Sequence, residues 1–385
     1  MLREIFADNA QLVLGLGGLL IGFVFGAVVY RTNYCAMGSL SDIHNFNDYR
    51  RFRAWILAAA TALLGTQLLH GGGVVALERS MYLAPAFNWF GYIAGGFIFG
   101  IGMVFAGGCP SRNLARAGGG DLRSLLTLIV LGVVAYMTIA GLIAPVRATV
   151  ESATAFSLGA SGQGVGNLLG TLTGISRGSV SLVLAVLISA AALVFCFIDD
   201  RFRNSPVHVV SGIAVGLTVV AGWAVTGLAY DDMATRPVPP ISLTYIRPMG
   251  DTLQWLALFT ATPAPGFGVA SVFGALLGAF AAAMRMGRFR LSTFSDADDT
   301  VRNLMGARSC TMDAQTEVRV SLDELSHIID RLHGRVLTQQ ARMKRRALQD
   351  RERQEQTLKN MLSALAKMRS LRAAMIVDRP MGYLH

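Results

Sequence analysis

Two cysteines in this sequence stand in settings suited to chemistry. Cys35 lies in Arg31-Thr-Asn-Tyr-Cys35-Ala-Met-Gly38, which runs on to Ser41-Asp42. Cys109 lies in Gly107-Gly108-Cys109-Pro110-Ser111-Arg112, which runs on to Gly118-Gly-Gly-Asp121. Each closes an apolar stretch, with an arginine four residues before Cys35 or three after Cys109. In the second motif Pro110 cannot continue a helix, because it lacks an N–H and clashes with the preceding turn. Proline suits the first position of a new helix, which makes Cys109 the N-cap. Ser111 to Ala117 then reads as a short helix ending at Gly118. Such a broken helix aims free N–H groups and a positive dipole end at the thiol. Transporters place anionic substrate groups at half-helix N-termini of this sort.

The competing reading is packing. A free cysteine is a small buried hydrophobe that needs no partner in a membrane. For Cys196, between Phe195 and Phe197 in an apolar run, packing is the better reading. Cys35 and Cys109 have Gly, Pro and Arg as neighbours, and there function is favoured. Arg31 and Arg112 read as positive-inside anchors by charge counting alone. His70 reads as a span-end residue, and Asp199-Asp200 and Asp231-Asp232 as solvated loop carboxylates. The membrane part has no P-loop, GxSxG or HExxH motif, and no two cysteines lie at zinc-site spacing. The expected site is therefore a substrate-binding one, made of Arg31, Cys35, Gly108, Cys109 and Arg112. No catalytic residue, metal or cofactor is expected, and the chain does not read as an enzyme.

The elements that must position these residues are membrane spans. Of 385 residues, 53% are hydrophobic and 15% charged, too apolar for a soluble domain with about 25% charged residues. Residues 1–290 carry 18 Arg, no Lys and 12 acids, whereas residues 291–385 carry 16 basic residues and 12 acids. Charge therefore divides a membrane part from a water-facing tail. Seven apolar stretches, near 11–30, 54–77, 86–108, 122–145, 180–198, 207–230 and 266–284, are long enough for helices across about 30 Å of hydrocarbon. Glu4 and Asp8 stand where a cleaved signal would carry positive charge, so the first stretch reads as a retained span.

A single alternation of loops puts 12 arginines on one side and six on the other. That predicts an N-terminus outside and a cytoplasmic C-terminal tail. Outer loops 146–179 and 230–265 have the composition of irregular or re-entrant structure. Gly15, Gly18, Gly22 and Gly26 share one helix face; Gly274 and Gly278 form a GxxxG, and Gly95, Gly96, Gly100 and Gly102 follow a similar pattern. These predict close helix packing. The expected fold is all-α, a polytopic bundle of about seven spans with broken segments over 1–307. A charged helical tail over 308–385 completes it.

On the two cysteine motifs, together with Gly222-Trp223 and Gly-Arg-Phe-Arg-Leu-Ser-Thr-Phe at 287–294, the chain resembles the YeeE/YedE family of bacterial inner-membrane proteins. Its characterised members take up thiosulfate, and the resemblance covers about residues 10–307. It implies a glycine-rich bundle of two related halves, with an hourglass path along which cysteines pass a small sulfur oxyanion by S–H hydrogen bonding. Cys35 and Cys109 would be two of those cysteines, and a TusA-type cytoplasmic sulfur carrier the downstream partner. Where the family continues into a further span ending in another Gly-Cys motif, this chain has the polar segment around Cys310.

The tail has Leu322, Leu325, Ile329, Leu332 and Val336 at alternating spacings of 3 and 4. This pattern suits coiled-coil self-association. Its basic run at 342–346 reads first as a solvated face and next as a contact for anionic lipid. Nucleic acid comes last, for want of aromatics. Uptake of thiosulfate or a related sulfur anion is thus the leading expectation. A membrane-anchored scaffold or sensor acting through the tail is the alternative. Thiol–disulfide chemistry between Cys35 and Cys109 is the weakest reading, since no Cys-x-x-Cys motif is present.

Overall fold

A computed structural model describes residues 9–293 except positions 81, 84–85, 158–163, 167–168, 171–176, 231–237 and 261–263, plus positions 301, 305 and 363. The coiled-coil tail, Cys310 and Asp231-Asp232 lie outside these described residues. The chain divides into two units, Met1–Thr316 and Glu317–His385, and the membrane helices all belong to the first.

The described structure is almost wholly helical. The helices are α1 (Ala10–Thr32), α2 (Ala36–Phe46), α3 (Arg50–Gly71), α4 (Trp89–Phe105), α5 (Pro110–Gly118) and α6 (Leu122–Ile139). They continue as α7 (Ala144–Thr154), α8 (Arg177–Phe197), α9 (Asp200–Arg203), α10 (Pro206–Leu228), α11 (Arg247–Ala257) and α12 (Phe267–Arg285). The departures from all-α among the described residues are a short antiparallel pair, β1 (Ala86–Phe87) with β2 (Phe156–Ser157), and an isolated bridge between Asp121 and Ser292. Among the described residues, seven helical stretches are long and apolar enough to cross a membrane. Two of these are broken, because α1 runs on into α2 and α4 into α5.

Several boundaries differ from the hydropathy reading for local reasons. The second span begins at Arg50, because its arginines occupy the first helical turn, and it ends before Gly73, whose φ is +71°. The fourth stops at Ile139 instead of 145, and Pro145 then sits in the first turn of a separate helix, α7. That position suits proline and excludes it from a helix interior.

Large apolar side chains are exposed along the spans, and several polar ones are buried. Leu12, Leu16 and Leu20 on α1, and Val183, Leu187 and Val194 on α8, are exposed, while Asn113, Thr127, Ser189, Thr218 and Ser271 are buried. Apolar surface of that extent suits lipid, where the polar backbone must be satisfied internally. The interior is organised by α1 against α12 and α3 against α10. Small residues set the approach. A methyl group on Gly212 or Gly216 of α10 would stand 2.8 Å from the Ala54 or Ala58 carbonyl of α3.

The C-terminal end of α8 is held by Arg53 of α3. Its guanidinium donates to the carbonyls of Phe195, at 2.6 Å, and Cys196, at 3.2 Å, and stands 4.9 Å from the Phe195 ring centre. Cys196 is fully buried and donates back to the Arg53 carbonyl at 3.2 Å. This is a helix C-terminus capped by a cation, a structural role. Asp199 corrects the sequence reading. It caps α9 by accepting from Arg201 N–H at 3.0 Å and lies 3.4 Å from Arg53 Nε, so it is a clasp and not a merely solvated carboxylate.

Candidate functional site

The two cysteine motifs meet. Although 74 positions apart, Cys35 and Cys109 are brought within electrostatic range of one another, and both are free thiols. Each is an N-cap. Cys35 precedes α2, and its Sγ accepts from the Gly38 N–H at 3.4 Å. Cys109 precedes α5, with Pro110 in the first turn as its sequence requires, and its Sγ lies 3.2 Å from Ser111 Oγ. Sequence reasoning identified the second cap and missed the first. Its signal was Ala-Met-Gly-Ser after an Asn-Tyr break, with Asn33 in the left-handed region at φ 54°.

Two helix starts therefore lie beside one pair of thiols, an arrangement suited to an anion. Arg112, one turn into α5, lies in electrostatic range of both sulfurs and donates to Asn33 O at 3.3 Å. Tyr34 borders the pair as well. Arg31 stands apart: it is exposed in the last turn of α1. The fold gathers Cys35, Gly108, Cys109 and Arg112, whereas Arg31 lies outside that group.

The Gly107-Gly108 turn, with φ of +70° and +156°, is gripped from below by residues that motif reading passed over. Asn113, 2% exposed, donates to the carbonyls of Ala106 at 3.3 Å and Gly108 at 3.2 Å. Arg116 donates to Gly107 O at 3.3 Å and to Asp121 Oδ2 at 2.5 Å. The signal for both was their spacing of three on the short helix after Cys-Pro, which puts them on one face. Asp121 also caps α6, accepting from Arg123 N–H at 3.1 Å, and pairs with Arg123 Nε at 3.2 Å.

Residues 287–293 meet the turn between α5 and α6. Leu122 N–H donates to Ser292 O at 2.9 Å, and Ser292 N–H to Gly120 O at 3.0 Å. Gly120 has φ +100°, and a methyl group there would meet Arg290 O at 2.5 Å, so this position requires glycine.

Asp121 links this scaffold to pH. Burial pushes its carboxyl up, but the charges of Arg116 and Arg123 and its hydrogen bonds outweigh that and hold it below the usual carboxylate range. A depressed folded value contributes stability above the unfolded pKa of about 3.9, lost as pH falls through the folded value. Asp121→Asn is expected to lower stability by about 1–3 kcal/mol at neutral pH, as for a buried partner left unmatched. The gap from wild type should shrink below about pH 4. Melting curves of both proteins from pH 3 to 7 check this, and a gap constant with pH would exclude the role.

Comparison with known proteins places this geometry in context. The profile of a family described as Sulphur transport matches residues 31–309, which include both cysteine motifs and the 287–293 segment. The thiosulfate transporter TsuA of Escherichia coli (strain K12) is 35% identical over 113 residues, 29% of this chain and 31% of that protein. The thiosulfate transporter TsuA of Spirochaeta thermophila is 34% identical over 124 residues, 32% of this chain and 36% of that protein. The aligned stretch thus spans about a third of each relative.

Proposed function

The chain belongs to the sulphur transport family, and from that premise we propose that it carries thiosulfate or a related small sulfur oxyanion inward across the bacterial inner membrane. The observation that supports this most is the thiol pair: Cys35 and Cys109 within electrostatic range of one another, each at the start of a short helix, with Arg112 in range of both. An oxyanion with a terminal sulfur is large, polarisable and weakly hydrated for its charge. Thiol S–H groups and helix N–H groups hold such an ion without binding it too tightly to leave. The relay passes it from Cys109 to Cys35 by exchanging one S–H hydrogen bond for another, with no covalent step. Arg112 supplies the positive potential that offsets the cost of bringing the charge to membrane depth.

The N-terminus faces the periplasm in this reading, and residues 308–385 form a cytoplasmic helical domain, by the arginine bias of the loops. A TusA-like carrier would receive the sulfur anion there, and the tail would self-associate. The test is growth on thiosulfate as sole sulfur source in cells lacking other sulfur-anion importers. Growth dependent on this protein is the expected outcome. Absence of growth, with the protein present in the membrane, would overturn the transport reading in favour of a membrane-anchored scaffold.

A further inference from the structure

Between α10 and α11 the chain enters the bundle as non-helical backbone, with Pro240, Ser242 and Tyr245 buried. Irregular backbone at membrane depth is tolerated where protein encloses it or where it lines a cavity. Most of this segment is tied down. Ile241 N–H donates to Thr226 Oγ1 at 3.2 Å, and Ser242 Oγ donates to Val219 O at 2.7 Å. Tyr245 differs: it is 6% exposed, and its hydroxyl has no hydrogen-bond partner among the described residues.

Its position is informative. The ring packs on Phe25, with centroids 5.1 Å apart. It belongs to the same buried cluster as Ala106, Leu114 and Ala115, against which Tyr34 is packed. Ala106 and Tyr34 lead directly into the turns that carry Cys109 and Cys35. Its sequence neighbours Thr244 and Arg247 line a cavity of about 460 Å³ between α11 and the start of α12. That cavity is also lined by Trp255, whose indole N–H is buried without a partner among the described residues. A buried, unmatched hydroxyl costs stability, and phenylalanine would fill the same space without that cost.

Resting on the transport reading, we infer that Tyr245 is a further substrate contact, its O–H donating to the sulfur oxyanion between the α11–α12 cavity and the Cys35–Cys109 pair. The experiment measures thiosulfate binding by calorimetry and melting temperature for the purified full chain, wild type against Tyr245→Phe. The variant is expected to melt at the same or a higher temperature without anion. Its thiosulfate affinity should be weaker by about 10- to 100-fold, as for one hydrogen bond to a charged group. Wild-type affinity in Tyr245→Phe would overturn the inference and leave the transport reading standing. A lower melting temperature in anion-free buffer would overturn it too, by giving the hydroxyl a structural partner. A wild-type protein that binds neither thiosulfate nor sulfite would overturn both.

Discussion

Cys109→Ala is expected to abolish thiosulfate uptake, by at least about 100-fold, while leaving the protein folded. The two halves of that expectation have separate causes. Cys109 caps α5 by position, but its side chain makes no capping hydrogen bond to the helix, so alanine forfeits little of the roughly 1 kcal/mol that a good cap contributes. The turn is held instead by Asn113 and Arg116 on the carbonyls of Ala106, Gly107 and Gly108, all of which survive the substitution. The loss is the Cys109 S–H, which in the proposed relay is one of its two stations. Cys109→Ser keeps a donor at the same place and should recover part of the uptake. Cys196→Ala should leave uptake unchanged, because that thiol bonds the Arg53 carbonyl, in the clasp between α3 and α8. The measurement is uptake of labelled thiosulfate normalised to membrane protein. Wild-type uptake in Cys109→Ala would exclude the thiol role.

Membrane architecture was legible in this sequence because lipid imposes one strong rule, that every span be long and apolar, and seven stretches obey it. The broken helix at Cys109 was legible for a similar reason: Gly-Gly-Cys-Pro leaves the backbone almost no alternative. The cap at Cys35 was harder to see, since Asn-Tyr-Cys-Ala carries no proline. Its break depends on a left-handed Asn33 that asparagine permits but does not demand. The Asn113–Arg116–Asp121 scaffold was hidden for another reason. Polar residues on a short helix look like a solvated face until the helix is known to be folded back inside the bundle. Tyr245 was invisible, because nothing in a line of text marks a hydroxyl as lacking a partner. The glycines divide in the same way. Gly18, Gly22 and Gly26 pack as their spacing foretold, whereas Gly96 and Gly100 of α4 face open space, with nothing within 4 Å of where a methyl would be.

The contrast between those glycines makes the second large effect testable within one protein. In an isolated helix, Gly→Ala is worth about 1 kcal/mol in favour of alanine. At Gly100 nothing opposes that gain, so Gly100→Ala should be neutral or slightly stabilising. At Gly26 a methyl group would overlap the backbone of Ala275 on α12, standing 2.7 Å from both its Cα and its carbonyl carbon. Backbone cannot rotate away as a side chain can, so relief requires moving α1 from α12. The contact is repeated along the pair, at Gly18 against Phe267 O at 2.6 Å and at Gly22 against Ser271. From the other helix, Gly274 meets Leu19 and Gly278 meets Phe23. Displacement at Gly26 therefore costs the whole seam, and in lipid no hydrophobic term restores it. Gly26→Ala should destabilise by about 1–3 kcal/mol, the usual range for overpacking, and Gly26→Leu should prevent accumulation of folded protein. Since α12 also packs on α5, with Gly118 against Leu276 O at 2.6 Å, the helix capped by Cys109 moves with it. Uptake by Gly26→Ala should fall even in the fraction that remains folded. Detergent melting curves for Gly26→Ala and Gly100→Ala decide the matter: equal shifts in the two variants would mean that helix propensity, and not the α1–α12 seam, governs these positions.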